Sequence, residues 1–304
     1  MTRTIWLASY PKSGNTWFRM LVANLSATDK PADINNLSER GGIASARAPL
    51  DQLTLIESGL LTHEEADRLR PRLYEELKRG AADDEYDGRQ EVAQVRFVKC
   101  HDAYTNTSDG EPLLAGLRGA DGAILIVRDP RDVGPSLAHH NRSSIEEAIK
   151  LMSDANLGFC DRLDQQTNQL RQRLRGWSGH AESWLTQKDI PIHLIRYEDM
   201  AADTAGTLRR ALAFAGRETA DADLARAVTF ATFFELKRQE AEAGFCEAPS
   251  RTAHGFFRRG EAGNWRDELT ADQVARIEAA HAPMMQRLGY ALSAAPAAVL
   301  ARAG

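Results

Sequence analysis

The 304-residue chain has only three cysteines, Cys100, Cys160 and Cys246, odd in number and far apart. That excludes a disulfide framework and offers no zinc-type spacing. No apolar run approaches the ~18 residues of a membrane-spanning helix. The N-terminus has no basic flank leading into a long apolar core, so a soluble, cytoplasmic protein is expected. Acidic residues outnumber basic ones, 43 to 38, for a net charge of −5. This argues against nucleic acid or an anionic membrane surface as the main partner, although a local basic pocket is compatible with an acidic whole. The phosphate loop G-x-x-x-x-G-K-[ST] is also missing, which removes the usual signature of a P-loop nucleotidase.

What is present is ample core material, 43% apolar residues, enough for one large α/β domain or two small ones. The stretch from Ile5 to Val22 organises the rest. Ile5–Ser9 suits a buried strand, Pro11 stops ladder pairing, and Lys12-Ser13-Gly14-Asn15-Thr16 forms a tight polar turn. From Trp17, apolar residues recur at helical spacing through Phe18, Leu21, Val22 and Leu25. Strand, loop and helix N-terminus then aim backbone N–H groups at one spot, with Lys12 and Thr16 adding donors, which makes an anion site.

Three further strands follow. Val95–Lys99 alternates and ends in Cys100-His101-Asp102; Ala123–Val127 is the most apolar run; Ile192–Arg196 leads into Tyr197-Glu198-Asp199-Met200. In an open parallel sheet, ligands collect at the carboxyl ends of the strands, which brings His101 and Arg128 towards the first loop. A magnesium-dependent nucleotidase wants a carboxylate directly at the central strand end. This chain has the Arg128 guanidinium there, suited to a bidentate grip on a phosphate. Between the first two strands, 26–94 reads as a helical cap or insertion. It has a capping box at Thr62 and Glu65, one helix or two around Pro71, and an acidic stretch over 81–88. Asp161–Gln187 reads as one long amphipathic helix or a pair, with a kink at Gly176, and Ala201–Ala241 as helical. Capping boxes are expected at Ser144/Glu147 and Thr270/Gln273.

The segment Tyr10-Pro11-Lys12-Ser13-Gly14-Asn15-Thr16-Trp17 resembles the 5′-phosphosulfate loop of sulfotransferases that use 3′-phosphoadenosine 5′-phosphosulfate (PAPS), usually Y-P-K-S-G-T-T-W, with Asn15 the one change. Arg128-Asp129-Pro130-Arg131-Asp132-Val133-Gly134-Pro135-Ser136 resembles the family's R-x-P-x-D-x-x-x-S motif, and Arg258-Arg259-Gly260-Glu261-Ala262-Gly263-Asn264-Trp265-Arg266 its R-K-G-x-x-G-D-W-K loop. The resemblance covers most of the chain. It implies a single P-loop-like α/β domain in three layers, with a mostly parallel sheet flanked by helices. It also implies in-line sulfuryl transfer from PAPS to a hydroxyl or amine of a small-molecule acceptor, with adenosine 3′,5′-bisphosphate (PAP) as product.

Carried over residue by residue, His101 is the general base and Lys12 stabilises the leaving phosphate together with Ser13, Gly14, Asn15 and Thr16. Lys99 is placed near the sulfuryl oxygens. Arg128, Ser136, Arg258, Arg259 and Gly260 belong to the 3′-phosphate, and Trp17, Tyr197 and Phe233 to the adenine. Pro130 and Asp132 are expected to shape the turn and cap the next helix. Around His101 only the lysine and the histidine match the family's K-T-H-L-P. Trp177, His180 and Trp184 match a family helix and read first as packing residues, with His180 towards the crevice as a second reading. No metal ligand is assigned and no metal requirement is expected. The family's short dimer motif is only partly present at Arg266, Thr270 and Ala271, leaving monomer and homodimer both open. A kinase of the same architecture and a non-catalytic nucleotide-binding protein are the alternatives.

Overall fold

The computed structural model describes residues 2–37, 42–83, 95–162, 164, 167–248 and 255–293. Most of the acidic stretch expected over 81–88, and 249–254, lie outside them. Four parallel strands form the main sheet in the order β2 (Val95–Cys100), β1 (Arg3–Ser9), β3 (Gly122–Val127), β6 (Ile192–Arg196). β1 lies in the middle, its chain leaving first to one side and later to the other, so the crevice between the ends of β1 and β3 is the topological switch point.

Side-chain alternation sorts the core into two faces. Trp6, Ala8, Leu125 and Val127 pack with one group of buried residues, and Ile5, Leu7, Ile124 and Ile126 with the other. The first face is covered by α3 (His63–Asp83), α4 (Pro130–Asn141), α5 (Ile145–Met152), α6 (Gly176–Thr186) and α12 (Ala271–Arg287). The second is covered by α1 (Asn15–Asn24), α7 (Tyr197–Ala202), α8 (Thr204–Ala215), α9 (Asp221–Phe230) and α10 (Phe233–Ala243). The result is three layers with both sheet faces buried, as an all-parallel sheet requires. The remaining helices are α2 (Arg47–Thr54) and the single turn α11 (Trp265–Glu268).

Local signals were reliable. Thr62 and Glu65 exchange capping-box bonds, and so do Ser144 with Glu147 and Thr270 with Gln273. α3 runs through Pro71 as one helix, and 201–241 divides into several helices. None of the described residues from 161 to 175 is helical. Here the chain turns through a short antiparallel pair, β4 (Gly158–Phe159) and β5 (Gln172–Arg173), and α6 starts only at Gly176, which has φ 66°. Distant partners decide this: Leu170 N–H donates to the Ser45 carbonyl, and the Arg47 guanidinium to the carbonyls of Thr167 and Gln169.

Asp132 does not cap α4. Asp129 does, accepting from Arg131 N, while Asp132 accepts from the backbone N–H groups of Gly263 and Trp265 and so fastens that loop to α4. The β2 edge is covered by residues 42–44, with Ala44 N–H bonded to the Lys99 carbonyl and Lys99 N–H to the Gly42 carbonyl.

Candidate active site

All four strands of the main sheet end at one cavity of about 570 Å³. β1 delivers Lys12, Gly14, Asn15, Thr16 and Trp17; β2 delivers Lys99 and His101; β3 leads to Arg128 and, through α4, to Ser136; β6 ends at Tyr197. Phe233 from α10 and Arg258, Arg259 and Gly260 close the same wall. Of the residues expected from sequence, only Ser13 is absent from the lining. It is buried under the loop, and its hydroxyl has no partner among the described residues.

The loop is built by backbone geometry. Lys12 (φ 69°) and Gly14 (φ 103°) are left-handed, and Gly14 is the N-cap of α1. A Cβ on Gly14 would lie 2.6 Å from Tyr197 Cδ2, so this turn admits no side chain. Asn15 faces inward: its amide donates to the Leu7 carbonyl and to Ser9 Oγ, tying the loop to β1. The Lys12 ammonium lies 3.8 Å from the centroid of the Phe256 ring. Burial, then Arg128, Lys99 and Arg258, bring its pKa down to about 7.

His101 Nδ1 is 2.7 Å from the Ser9 carbonyl, to which it donates; in the neutral ring this leaves the Nε2 lone pair free. Burial first, and Lys99 next, hold its pKa at about 3. The residue after it, where the family pattern fails, has a structural job. Asp102 is fully buried, pairs with the equally buried Arg70 of α3, and accepts from Arg173 N. Arg70 also donates to Tyr74 Oη and the Arg171 carbonyl. His180 sits edge-on to Tyr10, buried, its Nε2 without a partner among the described residues; burial lowers its pKa to about 3.

Arg128 spans the crevice. Its Nη2 donates to the Glu261 carbonyl (2.9 Å), its guanidinium lies 4.3 Å from the Tyr197 ring centroid, and its Nε is buried without a partner among the described residues. Tyr197 Oη donates to the Gly260 carbonyl, and Trp17 packs 5.6 Å from Tyr197 with its indole N–H on the Ala231 carbonyl. Gly260 (φ 72°) lies against Phe233, where a Cβ would come within 2.1 Å of the ring. Arg258 and Arg259 are held by Glu268.

Arg19, Glu247 and His140 are among the cavity residues that went unread in the sequence. Arg19 sits three residues after Thr16 on α1, an arginine inside an apolar helix, which is a usable signal. Glu247 bridges Arg19 and Lys99 at 2.7 and 2.8 Å; nothing local marks it. Burial raises its pKa, but Lys99 and then Arg19 outweigh this and bring it to about 2. His140 lines the cavity beside Phe256, its pKa lowered to about 4 by burial, then by Lys12 and Lys99.

The family model for the sulfotransferase domain matches residues 2–289. The chain belongs to the sulfotransferase family. Among curated proteins, this chain is 28% identical to human sulfotransferase 2B1 over 167 residues, covering 54% of this chain and 44% of that protein. It is also 28% identical to cytosolic sulfotransferase 16 of Arabidopsis thaliana over 166 residues, 51% of this chain and 48% of the other. The chain thus spans about half the length of these relatives. Luciferin sulfotransferase of Photinus pyralis is 22% identical over 287 residues, covering 90% and 69%. The fold is similar to mouse sulfotransferase SULT7A1 complexed with PAP (TM-score 0.55, 20% identity, 93% of this chain and 85% of that one). It is likewise similar to retinol dehydratase complexed with androsterone and PAP (TM-score 0.56, 20% identity, 93% and 80%). Among the described residues no helix is long and apolar enough to cross a membrane.

Proposed function

We propose that this sulfotransferase moves the sulfuryl group of PAPS to a hydroxyl, or an amine, of a small-molecule acceptor. The observation that carries this is the convergence of three sequence-distant segments, 10–17, 128–136 and 258–260, with His101 on one cavity. The residues present fit such a nucleotide: the turn at Gly14 and the contact at Gly260 exclude side chains, and Arg128 Nε is a buried donor awaiting an acceptor. That the structures of SULT7A1 and retinol dehydratase are PAP complexes supports the same reading.

When bound, the donor supplies a sulfuryl group whose in-line transfer builds charge on the leaving 5′-phosphate. Lys12, the loop amides and Thr16 hold that phosphate; one such preorganised donor is worth about 3–4 kcal/mol of barrier. His101, neutral and anchored through Nδ1, takes the acceptor's proton at Nε2, a role worth about 10²–10⁴ in rate. Negative charge brought beside it raises its basicity from the low value of the empty cavity. Lys99 serves the sulfuryl oxygens. Arg128, Ser136, Arg258 and Arg259 grip the 3′-phosphate and distinguish this donor from ATP, while Trp17, Tyr197 and Phe233 flank the adenine. Fixed cations provide the neutralisation, so turnover is expected to need no added metal. Within 26–94, α3 is read as a fixed cap, because Arg70 locks it, and the cytoplasm is read as the location, in line with the cytosolic relatives.

The test is thermal stability with PAP beside ATP and magnesium, followed by PAPS turnover against phenol, alcohol and amine acceptors. At about a hundred times its dissociation constant a ligand adds about 2.7 kcal/mol. A clear shift with PAP and little with ATP is expected; the reverse pattern gives the site to a kinase, and PAP binding without turnover to a nucleotide-binding protein.

A further inference from the structure

Glu247 is a carboxylate where sulfuryl transfer has no evident use for one. It stands on the cavity wall that also carries His101, with Oε1 2.7 Å from Arg19 Nη1 and Oε2 2.8 Å from Lys99 Nζ. Both cations are largely withdrawn from water, with side-chain exposures of 8% and 14%. Two like charges so placed need an anion between them, and in the empty protein Glu247 provides it. Glu268 behaves differently: it holds Arg258 and Arg259 from behind and does not line the cavity.

We infer that Glu247 is a tethered stand-in for the transferring group: Arg19 and Lys99 together form the subsite for the anionic sulfuryl of the donor, and Glu247 occupies it until the donor arrives. The inference rests on the donor reading above. It adds Arg19 as a sulfuryl-binding residue and gives Glu247 a role competitive with substrate. The local build allows the exchange. Glu247 follows Gly244 (φ 72°) on a stretch outside helix and strand. The backbone of that stretch is pinned, with Cys246 N–H on Asn35 Oδ1, Asn35 Nδ2–H on the Gly244 carbonyl, and Phe245 buried. The Glu247 side chain retains 26% exposure, so it can turn to water without moving the backbone. Once it leaves, Arg19 and Lys99 present two donors to an incoming group with more than one anionic oxygen.

PAP and PAPS differ by the sulfuryl group itself, so their affinities separate this subsite from the rest of the nucleotide site. Calorimetric titration of wild type, Glu247→Gln and Arg19→Gln with each nucleotide, acceptor absent, is the experiment. If the competent, uncovered site is populated at about one part in ten, Glu247→Gln tightens PAPS about tenfold and PAP by less than about twofold. Arg19→Gln weakens PAPS several-fold more than PAP. Glu247→Ala repeats the direction of Glu247→Gln, and an unchanged melting profile for either variant shows that the fold is intact. Equal effects on PAP and PAPS, or weaker PAPS binding by both Glu247 variants, overturn the inference and make Glu247 a strut for Lys99. If wild type binds neither nucleotide, the donor reading itself fails, and the stand-in falls with it.

Discussion

Desolvation sets both His101 and Lys12, with opposite consequences for catalysis. It keeps the His101 ring neutral with its lone pair at Nε2, as the proposed base must be, and it brings Lys12 close to losing its proton in the empty cavity. His101→Ala is expected to lower turnover by about 10²- to 10⁴-fold while PAP affinity stays near wild type. Single-turnover kinetics and calorimetry check this, and joint loss of both properties marks His101 as structural. For Lys12 the sign runs from the free pKa of about 7 to a higher value beside bound phosphate. Below about pH 7 the ammonium is already present and PAP affinity is flat. Above it, binding must take up a proton, and affinity falls up to about tenfold per pH unit until the bound pKa is reached. Calorimetry near pH 8 in buffers of different ionisation enthalpy counts that proton. A pH-independent affinity there, or unchanged proton uptake in Lys12→Met, removes Lys12 from the site.

At the scale of elements, α3 is part of the scaffold of the candidate site. Its Arg70 reaches Asp102, one residue beyond the proposed base, through a pair with no solvent access. Arg70→Ala leaves Asp102 charged and buried and is expected to cost about 3–5 kcal/mol in urea unfolding; a loss under about 1 kcal/mol shows that water reaches the carboxylate. The elements legible in the sequence were those with local causes. The strand–turn–helix at Ile5 to Val22, the apolar run of β3 and the capping boxes at Ser144 and Thr270 need nothing from distant residues. The non-helical course of the described residues within 161–175 was illegible because Leu170 and Leu174, four positions apart as on one face of a helix, are placed in the core by backbone pairing with Ser45 and Leu157. Asp102 looked like a mere departure from a motif until Arg70, 32 positions earlier, supplied its partner. The bridge from Glu247 to Arg19 spans 228 positions; an arginine inside an apolar helix was its one local sign, and nothing around Glu247 marked the partner.

For the whole molecule, the buried histidines set the response to acid. Burial holds His180 at about 3 and His281 at about 4, and His101 and His140 lie equally low. Each stays neutral in the fold while its unfolded counterpart protonates below about pH 6.5, so the unfolded state binds more protons. Stability is therefore expected to fall as pH drops from about 6.5 towards 4, by up to about 1.4 kcal/mol per pH unit for each such histidine. Urea midpoints at neutral pH and near pH 5 test this; equal midpoints mean that the folded histidines do protonate. The parallel sheet has a kinetic corollary. Lys12, His101, Arg128 and Tyr197 each follow a different strand, and no two of those strands can pair without a long crossover. The cavity therefore cannot exist in any half of the chain. It closes only when β6, the last strand of the sheet in sequence, has docked beside β3. Non-local pairing of this kind is slow, so during refolding the recovery of nucleotide binding should trail the recovery of helical signal and mark the final step of assembly.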